Sequence, residues 1–407
     1  MNQAHHEIAD LSLPSSEHRQ RPRFSNTSKN ALESFDLLLI LRGICAIYVV
    51  FRHLPFELSS ILSTDILDWA LRPFGYIPVL IFFCLSGFLI TRNFVDGRYD
   101  LSSANGCRDY YVNRALRVIP LYYASIVVCL FVYWPAPANR LGEVAMLFPF
   151  VGAYKVEGGV IFNHVYWSLP IEIAFFILAP IVYWLTSRLS AAIGTIRLLI
   201  LITGSYLTYN AYLFLAIPFD HGFIMTRAEW NRLAHHDAFY NFQAFFFGAI
   251  AAIHARRARL ELSPVSTRLM KVSLVIIMTA MLLRSTYVGD AMFEDGRVDP
   301  FTIYLIVPLT GLWFFLFSIL YENPLPAKHN SFKRAVLRGA ETLGALSYGI
   351  YLFHMPMWDF IAESGLSLNV NHRSTLLSLI ALALVLLISW ATYHAIERPF
   401  MKLRRRR

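Results

Sequence analysis

Apolar residues in this chain of 407 arrive in blocks of about twenty, and that spacing leaves few folds open. A helix of about twenty residues, rising roughly 1.5 Å per residue, is as long as the hydrocarbon core of a bilayer is thick. In lipid every backbone N–H and C=O must be paired by protein, so blocks of this length are read as helices. A barrel would show strands of roughly ten residues with alternating polarity. The charge content agrees: 15% of residues are charged and 56% hydrophobic, with a mean hydropathy of +0.48. A soluble domain carries about a quarter charged residues. The fold class is therefore all-α, a polytopic integral membrane bundle.

Spans are predicted near 36–55, 74–95, 118–134, 166–187, 196–217, 239–255, 272–288, 301–320, 342–362 and 374–396, about ten in all. Residues 143–152 are apolar but short, and read as a re-entrant or interfacial piece. With the N-terminus in the cytoplasm, 26 of the 36 Lys and Arg fall on cytoplasmic segments and 7 on outer loops. Arg42, Arg52 and Arg284 lie within spans. This asymmetry predicts both termini inside. In a membrane chain the placement of the +9 net charge matters more than its sum, and it does not argue for nucleic acid. Residues 1–35 are polar, contain HRQRPR and lack the apolar core of a signal peptide. The expected organisation is a disordered cytoplasmic tail over 1–35, a transmembrane domain over 36–400 and a basic cytoplasmic tail over 401–407. No internal repeat of the kind common in transporters is visible. Of the four cysteines, Cys45, Cys84 and Cys129 sit inside apolar blocks, which argues against a disulfide framework.

A charged side chain at mid-bilayer costs about 2.5–3.5 kcal/mol on insertion scales, so such residues usually meet a partner or a cavity. Arg42 and His53, in LRGICAIYVVFRH, are eleven apart, close to three helical turns, and share one face roughly 16 Å apart along the axis. Interfacial snorkelling is the plain alternative for Arg42, and the same explanation serves Arg52. Ser86-Gly87 interrupts the apolar run IPVLIFFCLSGFLITR, which reads as close helix packing ahead of a nucleophilic serine. Arg114 and Arg117 are three apart and face one way, an arrangement that suits bidentate phosphate binding and equally suits positive-inside anchoring. Glu172 lies in YWSLPIEIAFF within an apolar helix, either at a functional site or capping a broken helix near Pro170. His354 falls in LSYGIYLFHMP. The topology groups His53, Glu172 and His354 in the outer half of the membrane and Arg42, Arg114 and Arg117 in the inner half. The first group suits proton transfer and the second an anionic donor.

With these motifs in order, the chain resembles the membrane-bound acyltransferase-3 family of bacterial O-acyltransferases, from about residue 36 to residue 400. The resemblance rests on Arg42 with His53, IFFCLSGFLITR, Arg114-Ala-Leu-Arg117, Trp167, Ser168 and Glu172 of YWSLPIEIAFF, SYGIYLFHMP, and Glu397-Arg398-Pro399. Cys84 departs from the more usual aliphatic residue. The resemblance implies transfer of an acyl group, commonly acetyl, from acetyl-CoA or another acyl-CoA to a hydroxyl of a cell-envelope glycan or lipid-linked sugar. It implies that Arg42 and His53 are essential, that Arg114 and Arg117 serve the acyl-CoA, and that the setting is the bacterial inner membrane. The chain resembles the stand-alone type without a C-terminal esterase-like domain.

The expected site is catalytic His53 and Glu172, acyl-CoA-binding Arg42, Arg114 and Arg117, and supporting Ser86, Trp167, Ser168, His354 and Arg398. His53 acts as general base with Glu172 orienting it; an acyl-histidine is the alternative route. Acyl-CoA is a co-substrate, and no cofactor or metal is expected to be held permanently. A proton-coupled transporter is the rival function. His235-His236-Asp237 lacks the spacing of a metal site on a fixed helix face.

Overall fold

The structure is a computed structural model that describes residues 35–53, 75–134, 141–150, 163–216, 225–226, 237–257, 263–294, 297–298, 300–322, 331–363 and 373–404. All of these fall in one compact unit, 35–325 with 329–407. The expected tail before residue 35, His235 and His236, and the end of the basic tail lie outside the described residues.

The described chain is helical apart from a two-residue antiparallel pairing of β1 (Met225–Thr226) with β2 (Arg297–Val298). In order the helices are α1 (Leu37–Arg52), α2 (Tyr76–Val95), α3 (Ala104–Val132), the short α4 (Leu141–Leu147), α5 (Ser168–Ile193), α6 (Thr195–Ala216), α7 (Ala238–Arg257), α8 (Pro264–Glu294), α9 (Pro300–Glu322), α10 (Ser331–Glu363), α11 (Arg373–Thr392) and α12 (Arg398–Lys402). A turn of 3-10 helix, His164–Trp167, leads into α5, and a π turn, Tyr393–Glu397, joins α11 to α12. Each of the ten expected spans falls on one of these helices. Among the described residues seven are long and apolar enough to cross a membrane: α2, α3, His164–Ile193, α7, Pro264–Leu283, Leu305–Glu322 and Leu376–Lys402. The protein is thus a multi-pass membrane protein with seven clear spans among the described residues. Of the other three, two have a visible cause. α1 has 16 residues, about 24 Å of helix. α10 dilutes its apolar stretch with Gly344, Ser347, Gly349, His354 and Pro356.

α2 is the central helix, buried along most of its length, whereas α8 and α11 are largely open on their outer faces. Two glycine contacts set the inner packing. Gly87 of α2 faces the Phe245 carbonyl of α7, and Gly248 of α7 faces the Cys84 carbonyl of α2, so each backbone rests on the other with no room for a Cβ. Gly43 of α1 and Gly344 of α10 do the same against Ala340 and Leu39. Small residues at such crossings let helices approach closely in a membrane, where water no longer drives apolar association. The packing reading of Ser86-Gly87 holds for Gly87. Because Arg42 adjoins Gly43 and Ser86 adjoins Gly87, the two tight crossings also fix where those polar side chains project.

Substitution Gly248→Ala is expected to lower stability by about 1–3 kcal/mol, the usual cost of forcing a methyl into a filled contact. A fall in the thermal midpoint of the purified protein checks it; an unchanged midpoint would mean that α2 and α7 can part without loss.

α1 begins where Asp36 Oδ1 accepts from the backbone N–H groups of Leu38 and Leu39 at 3.0 and 3.1 Å, an N-cap ahead of the apolar run Leu37–Leu41. α3 begins at Ser103, whose hydroxyl accepts from Gly106 N–H at 3.1 Å. Of the 143–152 segment, residues 143–147 complete α4 and 148–150 form a turn, and 151–152 lie outside the described residues. The segment is tied to α3 by Tyr122, which donates to the Leu147 carbonyl at 2.8 Å.

Candidate active site

Inside the bundle α1, α2, α3, α5 and α10 line a cavity of about 110 Å³. The lining includes Arg42, Arg114, Arg117, Glu172, Ser86 and Ser168, among apolar and aromatic side chains. Three guanidinium groups against one carboxylate leave the lining with surplus positive charge.

Each polar group is held by a traceable cause. Pro180, inside α5, has no N–H to donate to the Phe176 carbonyl four residues earlier. That carbonyl accepts instead from the Tyr110 hydroxyl of α3 at 2.9 Å. The Arg114 guanidinium lies 5.8 Å from the ring centres of both Tyr110 and Phe176, so a helix defect on α5 builds the cation–π seat for Arg114. Arg114 Nε is buried and has no hydrogen-bond partner among the described residues. Arg117 sends Nη1 to the Met401 sulfur at 2.9 Å and stands 4.0 Å from Glu397 Oε2. Ser86 donates to Glu172 Oε1 at 2.9 Å.

A second polar group lies beyond Tyr351 and Ser168, which share a hydrogen bond of 2.7 Å. There His53, the C-cap of α1, meets His354 of α10, with Nδ1 of His53 3.4 Å from Nε2 of His354 and ring centres 5.1 Å apart. The backbone dictates the tautomers. His53 Nδ1 is 2.9 Å from the Val49 carbonyl, and His354 Nδ1 is 2.8 Å from the Tyr351 carbonyl. Carbonyl oxygens only accept, so in both rings Nδ1 carries the proton. His354 Nε2 then turns a lone pair toward the His53 Nδ1–H, and His53 Nε2 is left as a free lone pair, the state a proton acceptor needs.

The placing of His354 also has a backbone origin. Pro356 removes the N–H that would bond the Leu352 carbonyl, and Asn163 Nδ2 donates there instead at 2.8 Å. Asn163 Oδ1 also accepts from Val165 N–H at 3.3 Å, which starts the turn that delivers Ser168 and Glu172.

The expectations are thus sorted by geometry. Arg42, Arg114, Arg117, Ser86, Ser168 and Glu172 line one cavity. His53 and His354 form the pair. Among the described residues no hydrogen bond or ion pair joins Glu172 to His53; Glu172 faces Ser86 and the arginine cavity. The reason is depth. α5 starts at Ser168, so Glu172 is a full turn inside, where the three arginines provide its counter-charge. Trp167 is buried among Tyr76 and Phe83 and supports the wall rather than lining the cavity. Arg398 is exposed, and the π turn points its neighbour Glu397 inward to Arg117. Glu397, named above only as part of a motif, and Tyr351 join the site; a carboxylate among the last apolar residues of a span is the sequence signal for the first. Among the described residues no cluster of metal-ligating side chains occurs.

Comparison with known proteins agrees with the resemblance seen in the motifs. The family described as an acyltransferase domain, acyltransferase-3, matches residues 35–394. The chain is also 25% identical over 334 residues to "Putative acetyltransferase ORF330" of Acidianus two-tailed virus, covering 81% of this chain and 85% of the viral protein. No solved structure matches.

Proposed function

As a member of the acyltransferase-3 family, to which the chain belongs, this protein is an acyltransferase, and we propose that it moves an acyl group, acetyl first among them, from cytoplasmic acyl-CoA to a hydroxyl of an extracytoplasmic saccharide. The observation that supports the donor half is the cavity with three arginines and one carboxylate in a membrane-embedded bundle. Buried positive charge calls for an anionic occupant, and acyl-CoA carries its phosphates at one end and its thioester at the other. Arg114 and Arg117 bind the phosphate end, and Arg42 steers the pantetheine arm along α1. Glu172, bonded to Ser86, limits the positive charge of the cavity.

His53 is the base of the reaction. Its Nε2 takes the proton of the acceptor hydroxyl as the oxygen attacks the thioester carbonyl. The tetrahedral intermediate collapses, the C–S bond breaks, and CoA leaves as thiolate and takes up a proton. His354 accepts from His53 Nδ1–H and holds the ring in the tautomer that leaves Nε2 bare. The acceptor is a glycan or lipid-linked sugar at the outer face of a bacterial inner membrane, with both termini of the chain in the cytoplasm.

The test is release of CoA thiol by the purified protein, given acetyl-CoA and a lipid-linked saccharide extract. Thiol release coupled to a new acyl mass on the extract is the expected result. Proton-coupled uptake of a solute with no thioester consumed would instead favour a transporter.

A further inference from the structure

The three cavity arginines do not end the positive charge on this side of the bundle. The π turn Tyr393–Glu397 carries the helix of α11 on into α12, and both the turn and α12 pack against α3. This brings Met401 onto Arg117 at 2.9 Å and, three residues on, Arg404, whose backbone N–H bonds the Met401 carbonyl at 3.4 Å. Arg404 is only partly exposed, and its Nε is buried with no hydrogen-bond partner among the described residues. Arg114 Nε is in the same condition. The carboxylate paired with this group, Glu397, stands 4.0 Å from Arg117, too far for a hydrogen bond, and both its oxygens lack a hydrogen-bond partner. Burial pushes the Arg404 guanidinium down to about 10, and the neighbouring Arg117 and Arg114 cations push the same way.

Desolvated like charges destabilise one another, and buried guanidinium N–H groups without acceptors lose their water bonds for nothing in return. An arrangement of this kind is favourable when an anion with several acceptor oxygens fills it. We propose that Arg404 is a further donor-binding residue, which with Arg114 and Arg117 grips the polyphosphate end of a nucleotide thioester as it enters from the cytoplasmic side. The assignment rests on the acyl-CoA reading above and extends it past the cavity to the segment after α12. Arg404 acts on affinity for the phosphorylated donor and not on the chemistry at His53. The same phosphate chemistry could come from the headgroup of an anionic lipid, and the experiment separates the two sources.

Full-length protein in nanodiscs of phosphatidylcholine alone is titrated with CoA, for the wild type, Arg404→Gln and Arg404→Lys, with the thermal midpoint of each recorded. Loss of one charge-assisted hydrogen-bonding group is expected to raise Kd for CoA about tenfold in Arg404→Gln, with Arg404→Lys between the two. Inorganic pyrophosphate should displace CoA from the wild type at lower concentration than from Arg404→Gln. Equal CoA affinity in all three proteins overturns the role of Arg404 and leaves the acyl-CoA reading standing. Absence of CoA binding by the wild type overturns both. Retention of phosphatidylglycerol by the wild type in native mass spectra, lost in Arg404→Gln while CoA affinity stays the same, reassigns the site to lipid and overturns the proposal.

Discussion

Replacing His53 with alanine is expected to cut acyl transfer by roughly 10²–10⁴-fold, the usual contribution of a positioned general base. Stability should change less than activity, because His53 is a partly exposed C-cap residue at the end of α1. The expectation follows from the tautomer. With Nδ1–H committed to the Val49 carbonyl, Nε2 is the one ring atom free to accept a proton. His354→Phe keeps an aromatic ring in the buried site and removes the acceptor facing His53 Nδ1. It should cost less, about 10–100-fold, the range seen when a residue that orients a functional histidine is lost. Both are measured as acylated product formed by membranes at matched expression. Wild-type activity in His53→Ala would remove the base from the mechanism. Equal losses in the two variants would mean that the pair acts as one unit.

The sequence made the membrane bundle legible because a twenty-residue apolar block has one stable solution in lipid. It made the arginines legible because charge inside such a block is costly and rarely idle. What it could not show is which polar residues share a cavity. Glu172 and His53 fall at similar expected depths, yet the arginines draw the carboxylate into their own pocket and a second histidine takes its place beside His53. Depth is a one-dimensional quantity read from the chain, whereas partnership depends on the rotation of each helix. Those rotations are set by Gly43 against α10 and Gly87 against α7, and by proline-freed carbonyls such as Phe176 and Leu352. A glycine or proline in a span is visible in the sequence; the group it will meet is not. The same limit explains Arg398 and Glu397. The motif contains both, and only the π turn decides that the acid faces inward.

Removing Arg114 and Arg117 together is expected to raise KM for acyl-CoA by about 100-fold or more, since a hydrogen bond to a charged group contributes about 1.5–3 kcal/mol. The dependence on acceptor concentration should hardly move. Arg117 complicates the experiment in an informative way. Its loss leaves Glu397, 2% exposed, without its nearest cation, and an unpaired buried carboxylate is strongly destabilising. Arg117→Gln alone therefore mixes a folding defect with a binding defect. Combining it with Glu397→Gln removes the stranded charge and should recover much of the thermal midpoint, while the affinity for acyl-CoA stays low. Arg114 needs no such partner, because its seat is two aromatic faces rather than a carboxylate. Arg114→Gln should lower affinity with a smaller loss of stability. If Arg117→Gln/Glu397→Gln regained both stability and acyl-CoA affinity, Arg117 would be a structural counter-ion to Glu397, and donor recognition would fall to Arg42 and Arg114.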